Sequence, residues 1–352
     1  LNSLHYQENK LFFDQLDLEE LSKGITTPFY LYSENLIKQN IKEYISQSDD
    51  KTLFCYSVKA NSNLSILKLI ASEGMGFDVV SMGELYRVIK AGCDTKKVVY
   101  SGVGKTKAEI RYALENNILC FNVESEGELF VINDEASAMG TTANISIRVN
   151  PDVAVESHPY ISTGLKDNKF GVTYKNALSL YIKASKLSSL NIIGIDFHIG
   201  SQITSIQPFI DSIKSIRSLV SDLKKENINI THIDVGGGLG IPYEGEDIVR
   251  KADYIKEITD SLRDLNVNIL FEPGRSVIGD CGLLVTQIQY IKESETKNFM
   301  IVDASMSELI RPPLYNAFHK IRPILKRDTS HKKYDTVGPV CESADFRGQE
   351  RS

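Results

Sequence analysis

Eight short, apolar, β-branched segments begin near Leu53, Gly76, Lys97, Ile118, Asn144, Asn191, Thr231 and Val267, and most are followed by an amphipathic stretch. The first four recur at roughly twenty to twenty-five residues, the length of one β/α unit. Between them, Ser62–Ala71 and Gly83–Lys90 carry apolar residues three and four apart, as helices laid on one face of a sheet require. Eight such units predict an α/β fold, a closed (β/α)8 TIM-like barrel whose catalytic groups stand at the carboxyl ends of the strands. Later spacings are longer, so the loops there are larger. After Arg275 the pattern changes to short runs, Leu283–Ile291 and Asn298–Asp303, without long helices between them, which predicts a second, mainly β domain.

With 352 residues the chain is long enough for a barrel and an appended domain. A net charge of −6 and the lack of a dense Lys/Arg stripe interleaved with aromatics argue against nucleic acid and for a small charged metabolite. No apolar run reaches membrane-spanning length, and Leu1–Lys10 lacks the basic start and apolar middle of a signal peptide, so the expected setting is the cytoplasm. Cys55, Cys93, Cys120, Cys281 and Cys341 form an odd set without CxxC spacing, which argues against a disulfide framework and a structural zinc. Most should be buried thiols; only one lies in a polar context.

Candidate chemistry sits where the strands end. The run Thr52–Val58 leads to Lys59-Ala60-Asn61. An amine at the end of a buried strand is poorly hydrated, which lowers its pKa and frees it to attack a carbonyl; the same position also suits a lysine whose head leaves for solvent. His198-Ile-Gly-Ser-Gln202 ends the strand Ile192–Phe197, bringing out an imidazole that can stack on a flat ring or be satisfied by a local hydrogen bond. Asp234-Val-Gly-Gly-Gly-Leu-Gly240 follows the next strand, and three consecutive glycines let backbone N–H groups approach an anion, or simply make a tight turn. The pattern is neither GxGxxG nor a Walker loop. Ile269–Phe271 delivers Glu272-Pro-Gly-Arg275. A carboxylate there can keep a pyridine nitrogen protonated, while Gly274 and Arg275 suit anions. Val337–Ser343 sets Cys341 beside Glu342 in an apolar β context, where burying a glutamate without a task would be costly.

Together, Lys59–Asn63, Gly76–Ser81, Gly83-Glu-Leu85, His158–Leu165, Lys169-Phe-Gly171, His198–Gln202, Gly236–Gly238, Glu272–Arg275, Arg311-Pro-Pro-Leu-Tyr315 and Cys341-Glu-Ser343 closely resemble the diaminopimelate decarboxylase family. These are alanine-racemase-like, fold-type III enzymes that use pyridoxal 5′-phosphate. The resemblance covers nearly the whole chain. It implies a barrel over 26–275, a β domain assembled from 1–25 and 276–352, and a homodimer with active sites at the subunit interface. Carried over by motif, Lys59 is the Schiff-base lysine, His198 the ring-stacking residue and Glu272 the partner of the pyridine nitrogen. Asp78, Ser201, Gly236, Gly237, Gly238, Gly274 and Arg275 complete the cofactor site, with Ser201, Gly237 and Gly274 on the phosphate. Arg275, Arg311 and Tyr315 would bind substrate carboxylate, Glu342 the distal amino group, and Cys341, reaching across the dimer, would donate the proton.

The implied reaction is decarboxylation of meso-diaminopimelate, a diamino dicarboxylate, to L-lysine. Other functions differ in what they need. A racemase on this scaffold would use a second acid/base in place of Cys341-Glu342. A lysine- or ornithine-type decarboxylase has no distal carboxylate to occupy Arg311 and Tyr315, and a noncatalytic cofactor carrier or regulator needs only the barrel. The family continues beyond Glu350-Arg-Ser352 through strands that include a tyrosine near the phosphate, so the β domain reads as incomplete.

Overall fold

The protein is described by a computed structural model at residues 3–47, 49–151, 169–327 and 332–351. His158–Leu165 lies outside these residues. Packing divides the chain into two units, Lys38–Ile241 with Asp247–Asp280, and Leu1–Ile37 with Pro242–Glu246 and Cys281–Ser352.

The larger unit is the barrel. Its strands are β1 (Thr52–Ser57), β2 (Gly76–Val79), β3 (Val98–Tyr100), β4 (Cys120–Val123), β5 (Ala143–Asn150), β6 (Leu190–Asp196), β7 (His232–Asp234) and β8 (Asn268–Phe271). They pair in parallel in chain order and β8 returns to β1, closing the ring; a short strand, Val172–Thr173, adds to the edge of β5. The eight strand positions read from the sequence are therefore all occupied. Two neighbouring helices show why their boundaries fall where they do. Asn63 accepts from the Ser65 N–H at the start of Leu64–Ser72, and Ser81 accepts from the Glu84 N–H at the start of Met82–Lys90. Each satisfies an amide that the first helical turn leaves without a partner.

The closure is held by a chain of buried rings. Tyr44 packs on Phe54 at 5.3 Å between centroids, Phe54 on Phe271 at 5.2 Å, Phe271 on Tyr254 at 5.7 Å, and Tyr254 on Phe209 at 4.9 Å. It joins β1 and β8 to the helices outside them, each tilted or edge-on contact adding about 0.5–1.5 kcal/mol beyond burial.

The smaller unit holds a three-stranded antiparallel sheet of Leu4–Gln7, Lys10–Phe13 and Leu16–Asp17. It also holds a pair, Phe29–Tyr32 with Gly282–Val285, and a four-stranded sheet ordered Ile288–Glu293, Asn298–Val302, Tyr334–Val337, Phe346–Arg351. Leu283–Ile291, which reads as one run in sequence, is thus two strands in different sheets. Asp303 makes the break: its Oδ1 accepts from the Thr286 hydroxyl at 2.5 Å and the Gln287 N–H at 2.9 Å, turning the chain between them. The junctions also shift. Residues 26–37 pack with the smaller unit because Phe29–Tyr32 pairs with Gly282–Val285, and 276–280 stay with the barrel, where Ser276 Oγ meets Tyr44 Oη at 2.5 Å and Val277 O accepts from Asn40. Among the described residues no helix is long and apolar enough to cross a membrane. Cys55, Cys120 and Cys281 are buried, Cys93 is half-buried, and Cys341 is exposed.

Candidate active site

Every barrel strand sends a polar side chain to one end. Lys59 lies in the 3-10 turn Val58–Ala60 that follows β1, and its Nζ donates to Asp78 Oδ2, from β2, at 2.6 Å. Asp78 is fully buried, and its Oδ1 has no partner among the described residues, an acceptor left for something that enters the site. Ser57 Oγ lies 3.0 Å from both Asp78 Oδ2 and the Glu272 carbonyl, joining the ends of β1, β2 and β8.

Lys59 is not the neutralised amine that its strand-end position suggests. Burial favours the neutral form, but the negative charges of Asp78 and Glu272 outweigh it and raise the pKa above its ordinary value. The side chain stays about half exposed, at 49 %, so the ammonium is anchored at its tip and open along its flank.

Glu272 faces inward. Its Oε1 accepts from Asn122 Nδ2 at 3.3 Å and Ser101 Oγ at 3.4 Å, and Asn122 Oδ1 accepts in turn from Ser146 Oγ. Carboxyl oxygens of Asp196, Asp234 and Glu272 lie within 4.8 Å of one another, all buried. Burial and mutual repulsion raise the proton affinity of all three: Asp234 rises to about 6, and Asp196 and Glu272 move well above the usual carboxylate range. Each of the three therefore gives up its proton less readily than an ordinary carboxyl group.

His198 follows β6. Its Nδ1 accepts from the Gly237 N–H at 3.1 Å, which fixes the ring plane and leaves the proton on Nε2. Burial, then the charges of Arg148 and Lys59, lower its pKa well below 6.5, so the ring is neutral. The glycine turn after β7 is as tight as its sequence suggests. Gly236 has φ +66° and Gly238 φ +114°, and a Cβ on Gly237 would run into the Glu272 carbonyl. Ile203 N donates to Gly238 O at 2.9 Å and Gly240 N to Ile203 O at 3.0 Å, binding this turn to the loop that carries Ser201. A Cβ on Gly274 would sit 3.2 Å from both Ser57 Cβ and Ala60 Cβ, beside the lysine turn, and Arg275 opens the short helix Arg275–Ile278.

Several buried groups of this site escape sequence reading. Arg148, on β5, pairs with Glu124 Oε1 at 3.0 Å, and its guanidinium lies 4.9 Å from the Phe170 ring centroid. Glu124 Oε2 accepts from the Gly171 N–H at 2.7 Å, which gives Lys169-Phe-Gly171 its task. Gly171 is at φ +67°, and a Cβ there would approach Arg148 O at 2.9 Å. Lys105 Nζ is buried among Glu128 at 2.7 Å, Asn122 O at 2.8 Å and Gly102 O at 2.9 Å, bracing the end of β4. The available signal was polar residues inside apolar runs, as in Cys120-Phe-Asn-Val123 and Ile145-Ser-Ile-Arg-Val149.

Arg311, Tyr315, Cys341 and Glu342 belong to the smaller unit. Arg311–Tyr315 is one helical turn; the Arg311 guanidinium lies 4.7 Å from the Tyr243 ring centroid, and its Nη1 lies 3.1 Å from His319 Nε2. Cys341 and Glu342 are exposed on the turn between Tyr334–Val337 and Phe346–Arg351, not in an apolar β setting. The buried carboxylate of that turn is Asp345.

A barrel end with a lysine, an inward carboxyl, a neutral imidazole and a glycine cradle suits a phosphorylated pyridine aldehyde. The sequence comparisons agree: residues 34–279 match the pyridoxal binding domain of pyridoxal-dependent decarboxylases. The diaminopimelate decarboxylase of Vibrio cholerae is 47 % identical over 354 residues, covering 100 % of this chain and 85 % of the relative. The solved diaminopimelate decarboxylase of Helicobacter pylori complexed with L-lysine has a TM-score of 0.91 at 44 % identity, over 95 % of this chain and 84 % of that one. The corresponding M. jannaschii structure with L-lysine has a TM-score of 0.94 at 36 % identity, over 99 % and 84 %. The chain belongs to the diaminopimelate decarboxylase family of pyridoxal-dependent decarboxylases.

Proposed function

We propose that this chain decarboxylates meso-diaminopimelate to L-lysine and CO2 with pyridoxal 5′-phosphate. The convergence of Lys59, Asp78, His198 and Glu272 from four strands on one barrel end carries the reading. When bound, the cofactor supplies an electron-poor ring that accepts the electron pair left as a carboxylate departs.

The chain's residues do the rest. Lys59 is the amine that holds the cofactor covalently, and Asp78 keeps its head in place through the 2.6 Å contact. His198, neutral and fixed by the Gly237 N–H, offers a flat apolar face without adding charge. Glu272, whose proton affinity is raised by burial and by Asp234, Asp78 and Asp196, stands where a carboxylate would hold a pyridine nitrogen in its protonated form. Ser201 brings a hydroxyl and Gly238 and Gly274 bring backbone N–H groups to a phosphate, with Arg275 nearby, while Gly236 and Gly237, whose N–H groups are held by Asp234 Oδ1 at 2.9 Å and His198 Nδ1 at 3.1 Å, let the backbone approach closely. Arg275, Arg311 and Tyr315 take substrate carboxylate, and Glu342 takes the distal ammonium. Cys341 Sγ gives a proton to the carbon from which CO2 has left.

Arg311→Ala should cost about 3 kcal/mol in kcat/KM with diaminopimelate, the scale of a charge-assisted hydrogen bond. It should cost almost nothing with lysine, which has no distal carboxylate. Equal losses on steady-state assay of both substrates would remove Arg311 from that role.

The active unit is a homodimer in which each site draws Lys59 and Cys341 from different chains. Neither Lys59→Ala nor Cys341→Ala alone is active, but mixed under exchange they recover activity. With random pairing roughly half the dimers are mixed, each with one intact site, so recovery approaches about a quarter of wild type. Exchange without recovery would place both groups in one chain.

A further inference from the structure

We infer that the buried Asp345–Arg347 ion pair is a positioning element that locks the Cys341-Glu342 turn and the segment leading into the Arg311 helix into one body. Asp345 Oδ2 accepts from the Val340 N–H at 2.9 Å, immediately before Cys341, while Asp345 N donates to Glu342 O at 3.0 Å. The same carboxylate reaches the other segment, its Oδ1 accepting from the Met306 N–H at 2.5 Å and from Arg347 Nη2 at 2.5 Å. Arg347 Nη1 then donates to Ser305 O at 2.9 Å and to Leu309 O. Leu309 directly precedes Ile310, the residue that opens the Arg311–Tyr315 turn.

The pair is therefore the crosspiece between two loops far apart in sequence. Asp345 is 3 % and Arg347 5 % exposed. Gly338 N donates to Asp345 O at 2.8 Å, and a Cβ on Gly338 would run into the Asp345 carboxylate and come within 2.6 Å of Ala304 O, so the turn closes only over glycine. A buried ion pair adds little net stability relative to an apolar pair of the same shape, but it fixes geometry because neither partner tolerates isolation. Resting on the reading that Cys341, Glu342 and Arg311 all meet substrate, this pair holds the proton-donor turn and the Arg311 segment of one chain in fixed positions relative to each other.

The test uses the cofactor-loaded enzyme and the variants Asp345→Asn, Arg347→Gln and the double change. Each single change should raise KM for meso-diaminopimelate and lower kcat, each by roughly tenfold per cofactor-loaded site, with cofactor absorbance unchanged. The double change should be no worse than the worse single, as expected of residues that act as a unit. Wild-type kcat and KM in either variant, or losses that multiply, would overturn the inference. Amide hydrogen exchange on the unaltered holoenzyme keeps it falsifiable if a variant fails to fold: Met306 and Val340 should exchange slowly and at matched rates, and rates more than about tenfold apart would contradict one body. Wild type and Cys341→Ala assayed alongside separate this from the activity itself, since no turnover of diaminopimelate by wild type would count against the function while leaving the exchange result standing.

Discussion

Lys59→Ala loses turnover by on the order of 10⁴-fold or more, the scale at which a covalent-catalysis residue is removed, while the barrel stays folded. The fold tolerates the change because the lysine tip meets Asp78 at the strand ends and about half of its side chain is exposed, so little packed volume is lost. The chemistry does not, because no other described amine stands against Asp78 at this end of the barrel. Borohydride reduction of the cofactor-loaded wild type should place the label on the peptide containing Lys59. The variant should give no label there yet unfold at nearly the wild-type temperature. Label on another lysine would transfer the role to that residue, and a variant that loses its fold would show that Lys59 is structural.

Glu272→Gln slows decarboxylation by roughly 10²- to 10³-fold, as when a single preorganised electrostatic group is removed. Cofactor affinity should change little. The amide matches the carboxyl in shape and retains an oxygen for Asn122 and Ser101, which now donate to Oε1 at 3.3 and 3.4 Å. It removes the one acid of the cluster placed at the end of β8, whose proton affinity burial and then Asp234, Asp78 and Asp196 raise, and a neutral amide cannot hold the ring nitrogen protonated. Single-turnover measurement separates this from substrate binding: the chemical step slows while KM holds. Near-normal turnover would assign control of the ring nitrogen to Asp196 or Asp234.

The barrel was legible in the sequence because its strands are apolar and β-branched and the first four are each followed by a helix with a side-chain cap, at Asn63, Ser81, Thr106 and Ser125, so period and spacing sufficed. Lys59, His198, the glycine turn and Glu272 were legible because they end those strands, and the structure brings them to one face. The buried support was not. Asn122, Arg148 and Lys105 earn their places through partners tens of residues away, Glu272, Glu124 and Glu128, and periodicity carries no information about such pairings. The smaller unit was misread at Leu283–Ile291 because Asp303, distant in sequence, breaks the run at Thr286 and Gln287. The Cys341 turn was misread because the apolar residues around it suggested a strand, whereas Asp345 folds it outward through Val340 and Met306. Lys59 follows β1 as its sequence position suggests, but its pKa is raised rather than lowered, since its counter-ion comes from β2.

The most direct measurement incubates the purified protein and pyridoxal 5′-phosphate with meso-diaminopimelate labelled with 13C in both carboxyl groups, and follows gas and solution together. One labelled CO2 should appear for each L-lysine formed, with the second label retained in the lysine carboxyl and no release in the Lys59→Ala variant. Cofactor-loaded protein that releases no CO2 from diaminopimelate, or that releases it from lysine or ornithine instead, would contradict the account.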